Sequence, residues 1–466
     1  MSEAIASPPE PRTSTAAQIA WASGSFATGA LTNAMSFFAL FIMTTFLGIA
    51  PAVAGTIILV TKIYDGVIDP LIGAVSDRTQ HRWGPRRIYL LIGALALGFS
   101  FAIFFNLSRF GVEGAAAGFL ATAALLLYST CYSLFTIPYL AMPPEIEPEY
   151  DGRTRLMSFR VFFLLAGVMA GSAGAPVLVT LGGGEQAGYE MMGLTLGGAA
   201  IVMCLIVFAG AAFLPKGEAL RSEQKLNGAA LLASPFVDTW RVLSTNAPFR
   251  ALTLVKLCQF GVLATVLASS AYFFTFVLGL SQADAGQYFF IFSVSGILSI
   301  PAYRFIIAKL GKREVYLGLI VLYGLGIASW YLWSPGEADV WRYTRAVLIG
   351  SFSTGTLLCA IAMLPDTMEY DRLKSGEGRE GVISGVFTFV ENVGGALGPF
   401  VVGLILQAQG LIVSRDPSTL QPPEVLDAVV WCVSLVPAAF CFLAVPFLIG
   451  YKLDEAKLDA MREKTM

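Results

Sequence analysis

Lys62, Asp65 and Asp69 are charged residues set inside an apolar run from Pro51 to Val75. A run of that length crosses a bilayer, where ionisable groups are costly and by default functional. On a helix, Asp65 and Asp69 lie one turn apart on one face, and Lys62, three residues before Asp65, joins the same stripe. Counting back from Asp77 at the polar edge puts Asp69 about 12 Å and Asp65 about 18 Å into the membrane, near its midplane. Two oxygen-bearing acids at that depth suit a small cation. The alternative is a structural ion pair with Lys62 as counter-ion. One ammonium against two carboxylates leaves a negative charge over, which favours the cation site.

The remaining composition limits what such a site can serve. Of 466 residues, 56% are hydrophobic and only 13% charged, about half the charge of a typical soluble domain. That composition implies an all-α protein crossing the membrane many times. A net charge of −2 gives no basis for a nucleic-acid partner. The six cysteines sit inside apolar stretches at no metal-ligand spacing, so they read as small packing residues. His81, the single histidine, lies between spans. An intramembrane hydrolase therefore lacks a nucleophile–base pair, and no enzyme activity or cofactor is expected beyond a coupling ion. A channel filter needs rings of like groups, whereas these acids occur once. A sensor that binds a solute without moving it remains open.

Twelve apolar segments set the frame: 18–47, 52–77, 88–108, 114–141, 154–182 and 189–214, then 249–280, 284–309, 314–334, 343–365, 381–408 and 425–451. The expected organisation is a disordered tail over 1–17, a six-helix half over 18–214, a linker over 215–248, a second half over 249–451 and a tail over 452–466. The opening residues lack the pattern of a cleaved signal peptide. In the linker, apolar residues at helical spacing predict a helix lying on the membrane surface. Basic residues crowd the loops after spans two, four, eight and ten, including Arg78, Arg82, Arg86 and Arg87, and are nearly absent from the opposite loops. By the positive-inside rule both termini are cytoplasmic, in a plasma or inner membrane.

The halves repeat one another. Ala141-Met142-Pro143-Pro144-Glu145 after span four is echoed by Ala362-Met363-Leu364-Pro365-Asp366 after span ten. Asp77, Arg78, Glu145 and Asp366 thus fall at corresponding cytoplasmic edges and are candidate gate residues. Parallel six-span repeats resemble the plan of the major facilitator superfamily, which carries its site between the halves at midplane. The two acids have no counterpart in the repeat: matching Pro70 to Pro301 sets Asp65 and Asp69 against Gly296 and Ile300.

The pattern K-I-Y-D-G-V-I-D-P-L-I-G at 62–73, followed by S-D-R-T and R-W-G-P-R-R, resembles the signature of the glycoside-pentoside-hexuronide:cation symporters, among them the melibiose permeases. Residues 365–398 resemble the same family's loop and eleventh span. The resemblance implies a twelve-span major facilitator fold and a cation held by Asp65, Asp69 and a span-four hydroxyl, here Ser133. It places Tyr64 and Thr136 near the substrate and matches Arg160 to an arginine at the sugar site. Arg160 either pairs with the acids or snorkels to the interface. The family's span-eleven lysine position is Asn392 here, preceded by Glu391, which would carry a proton, bridge the halves or serve a structural role.

Acids that bind sugar hydroxyls in melibiose permeases align with Gly29 and Thr136, so a simple galactoside is disfavoured. The expectation is a functional monomer that moves a small organic solute, a sugar or glycoside, through the bilayer with a coupling cation. The runner-up cargo is an amphiphile, because sodium-dependent lysophosphatidylcholine symporters resemble the same family. Sodium is favoured over the proton: Ser133 adds a third oxygen and no buried imidazole is available.

Overall fold

The structure is a computed structural model that describes residues 13–84, 86–112, 114–147, 150–214, 241–375, 379–413, 420–453, 457–459, 461 and 463. Among them, twelve helices are long and apolar enough to cross a membrane. In order these are α1 (Thr15–Thr45), α2 (Pro51–Arg78), α3 (Arg87–Phe105), α4 (Gly114–Leu140), α5 (Arg155–Leu181), α6 (Gln186–Ala211), α7 (Ala247–Val277), α8 (Gln282–Leu310), α9 (Lys312–Leu332), α10 (Asp339–Ser375), α11 (Gly381–Ala408) and α12 (Pro423–Ile449). Helices are what apolar runs must form in lipid, where backbone groups have no water to bond. Local sequence fixes where they begin. Pro51 opens α2 at the position that needs no N–H. Ser281 and Asp284 form a reciprocal capping box at the start of α8.

The expected spans fall within a few residues of these, except the tenth, which ends at Ser375 rather than 365. The repeat explains the difference. After span four, Pro143 and Pro144 follow one another and withhold two successive amide donors, those that would bond the Tyr139 and Leu140 carbonyls in a continuing helix. There α4 stops at Leu140 and a single turn forms over Pro143–Ile146. Pro365 stands alone, and α10 continues through it, helped by the Thr367 hydroxyl donating to the Leu364 carbonyl at 2.7 Å. Asp366 and Asp371 are therefore helical, not in a loop. The surface helix expected in the linker rests largely on 215–240, and the disordered tail expected over 1–17 rests largely on 1–12; both stretches lie outside the described residues.

Within the first half, α3 packs on α4 and α6; within the second, α11 packs on α7. Across the halves α2 meets α11, α1 meets α7, and α5 meets α8. These contacts concentrate at the end of the bundle away from the termini. Thr44 and Tyr272 share a hydrogen bond of 2.6 Å, the Ala52 amide donates to the Gln407 side chain at 2.9 Å, and the Ala283 amide donates to the Thr180 hydroxyl at 2.8 Å. Five-residue π-helical segments interrupt α5 at Ala170–Gly174 and α7 at Phe273–Val277, close to this closure.

Glycine lets α2 and α11 approach there. A Cβ on Gly403 would stand 2.3 Å from the Pro51 carbonyl oxygen, closer than atoms tolerate. Gly403→Val is thus expected to hold this end apart. A cysteine placed at the wholly buried Thr44 should then react several-fold faster with a membrane-impermeant maleimide than in the Gly403 protein. The six native cysteines are free and buried, which keeps the background low. Equal labelling in both proteins would show that the close approach does not control closure.

Candidate cation and substrate site

Asp65 is reached by its own helix. Lys62 Nζ donates to Asp65 Oδ2 at 3.0 Å, the one-turn contact that the spacing allows. The other carboxylate oxygen, Oδ1, is buried and has no hydrogen-bond partner. One turn on, Asp69 accepts a hydrogen bond from Ser133 of α4. Two carboxylates and one hydroxyl thus converge from α2 and α4. They line a cavity of about 130 Å³. Thr32 and Ser36 of α1, Tyr128 and Tyr132 of α4, and Asn392 of α11 also line it. Helices of both halves therefore wall one space, and Met35, Ala39, Ile58 and Leu125 make part of that wall apolar.

The sequence-derived residues divide at this cavity. Lys62, Asp65, Asp69, Ser133 and Asn392 come together. Tyr64 turns aside on α2 and hydrogen-bonds Thr130 of α4 at 2.9 Å. Thr136 lies about one turn beyond Ser133, outside the lining, its hydroxyl oxygen buried without a partner. Arg160 does not reach the acids: among the described residues it makes no ion pair with either, and its Nε is buried unpartnered.

Glu391 has a different partner from those expected. It pairs at 2.7 Å with Lys256, so the bond joins α11 to α7 within one half and does not bridge the two. The Lys256 side chain is only 1% exposed, with its ammonium 4.6 Å from the Phe260 ring centre and 4.4 Å from that of Phe387. Sequence reasoning passed over Lys256, although a lone lysine in an apolar span is the signal that singled out Lys62. Tyr128 and Tyr132, one turn apart on α4, were also legible.

The candidate gate residues form one network in each half. Arg86 bonds Asp77 at 2.7 Å and the Ala141 carbonyl at 2.8 Å, and it contacts Glu145. Arg78 closes α2 beside this network. In the second half, Lys312 binds both oxygens of Asp366, at 2.6 and 2.8 Å. Glu145 and Asp366, matched by the repeat, are thus each held by a cation of the same half. Burial holds the Glu145 carboxyl above its ordinary range, with Arg86 pulling against it.

A family model described as MFS/sugar transport protein matches residues 20–455. The chain belongs to this family. The glucuronide carrier protein homolog of Escherichia coli (strain K12) is 26% identical over 93% of this chain and 90% of its own length. The isoprimeverose transporter of Lactiplantibacillus pentosus is 25% identical over 90% and 85%. Among solved structures, a bacterial homolog of the human lysosomal transporter Spinster superposes with a TM-score of 0.67 at 13% identity, covering 94% of this chain and 98% of the other. That likeness carries the fold alone. It is a multi-pass membrane transporter of the major facilitator fold, not an enzyme.

Proposed function

We propose that the protein is a sodium-coupled symporter of a glycoside, with Asp65, Asp69 and Ser133 holding the ion and the adjoining cavity holding the solute. The observation that carries this reading is the convergence of two carboxylates and a hydroxyl on one cavity, with Asp65 Oδ1 left without a partner. Such an oxygen set suits a hard monovalent cation. Thr32, Ser36, Tyr132 and Asn392 would then face the solute. The similar glucuronide carrier homolog and isoprimeverose transporter favour a glycoside over an amphiphile.

With both termini in the cytoplasm, the orientation that the basic loops favour, the end closed by the Thr44–Tyr272 and Thr180–Ala283 contacts would be extracellular, as in an inward-facing conformation. Alternating access would open these contacts while the gate networks of the two halves approach.

Thermal stability of the purified protein against glycosides, sugar acids and lysolipids, with and without sodium, tests cargo and ion together. A ligand at one hundred times its Kd stabilises by about 2.7 kcal/mol. Sodium should raise the effect of a glycoside in the native protein, and Ser133→Ala should need more sodium for the same shift. If affinity follows pH and ignores sodium, and Ser133→Ala behaves as the native protein does, the ion is a proton. Sodium-dependent stabilisation by lysolipids alone would instead favour the amphiphile reading, to which the apolar part of the wall is suited.

A further inference from the structure

Lys62 supplies the single cationic side chain among the residues lining the cavity. Its ammonium occupies one oxygen of Asp65, the carboxylate whose other oxygen lacks a partner. A cation bound between Asp65 and Asp69 would stand within a few ångströms of that ammonium and repel it. The lysine is able to yield. Its side chain is 35% exposed, against 9% for Asp65, and its charge rides on a flexible four-carbon stem. Lys256 shows the contrast, fixed by Glu391 and two aromatic rings at 1% exposure.

We propose that Lys62 is a built-in occupant of the cation site: the coupling ion displaces its ammonium from Asp65, and the displaced ammonium then holds an anionic group of the substrate. This rests on the cation-site reading above and adds to it the link between the two ligands. With both acids engaged by the ion, no free carboxylate lines the cavity to receive the ammonium. The other acceptors in the lining are neutral, so an anionic group arriving with the solute would bind the ammonium most strongly. Charge is also conserved over the cycle. Empty, the cavity holds one ammonium against two carboxylates; with a monovalent cation and a monoanion added, its net charge is unchanged. Cation and substrate affinities then rise together, as linkage requires.

The test compares native protein, Lys62→Gln and Lys62→Arg in the full-length purified chain. Sodium alone is titrated at constant ionic strength, followed by thermal stability. 4-Nitrophenyl glucuronide and the matching uncharged 4-nitrophenyl glucoside are then titrated at saturating sodium. Lys62→Gln removes the competitor, so sodium should bind several-fold more tightly without substrate. The glucuronide should lose about tenfold in affinity, the worth of one charge-assisted bond, while the glucoside changes little. Lys62→Arg should keep glucuronide binding. A Lys62→Gln protein that binds sodium no more tightly, or loses both glycosides equally, overturns the proposal while a sodium response in native protein leaves the cation site standing. Native protein stabilised by the glucoside alone, or by neither glycoside, overturns its anionic part. If native protein ignores sodium and Asp69→Asn changes nothing, the cation site itself fails and the proposal with it.

Discussion

Asp69→Asn and Asp65→Asn are each expected to abolish cation-driven accumulation in proteoliposomes while leaving downhill exchange of the same solute measurable. The amide keeps the shape of the carboxylate and retains an oxygen for the Ser133 hydroxyl, so the cavity should persist. What disappears is one of two negative charges that oppose the desolvation of an ion near the membrane midplane. Concentrative transport depends on a coupling free energy between ion and solute, typically 1–3 kcal/mol or about 5–150-fold in affinity. An ion that no longer distinguishes the binding-competent state contributes none of it. The two variants should differ in one respect. Asp65→Asn also weakens the hold on Lys62, whereas Asp69→Asn leaves the 3.0 Å contact with Asp65 in place. Uphill uptake at native levels in both variants would remove the acids from the coupling site.

The spacing that singled out these acids is a property of a single helix, and such properties were legible. Lys62 and Asp65 meet because residues three apart on a helix must, whatever surrounds them. Hydropathy placed the spans because bilayer thickness sets their length. Chain reversals were harder: whether a proline ends a span depends on its neighbours, as the contrast between Pro143-Pro144 and Pro365 shows. Relations between helices lay beyond any stripe. Glu391 was visible as a buried acid, but nothing along α11 says that its partner sits on α7 of the same half. Likewise Tyr64 occupies the right turn of α2, yet its side chain leaves the cavity for Thr130. Ser133 lay outside what spacing reveals, and a family resemblance directed attention to it.

The Lys256–Glu391 pair carries the second large expected effect. Lys256→Met should destabilise the protein by about 3 kcal/mol, the lower end of what breaking a buried pair costs. The lower end applies because Glu391 keeps 32% of its side chain exposed and is partly solvated when its partner is gone. Glu391→Leu should cost more. It leaves an ammonium that is 1% exposed with only the faces of Phe260 and Phe387 for company, and cation–π contact replaces only part of an ion pair. The double variant Lys256→Met with Glu391→Leu should recover most of the loss, because apolar residues of similar volume remove both desolvation costs at once. Thermal unfolding of the four proteins closes a double-mutant cycle, whose interaction energy should approach the sum of the two single losses, roughly 5 kcal/mol. Transport by the stable double variant then separates two roles. Retained sodium-driven uptake assigns the pair to holding α7 against α11. Lost uptake at native stability would give Glu391 a part in coupling, beside Asn392 at the cavity wall.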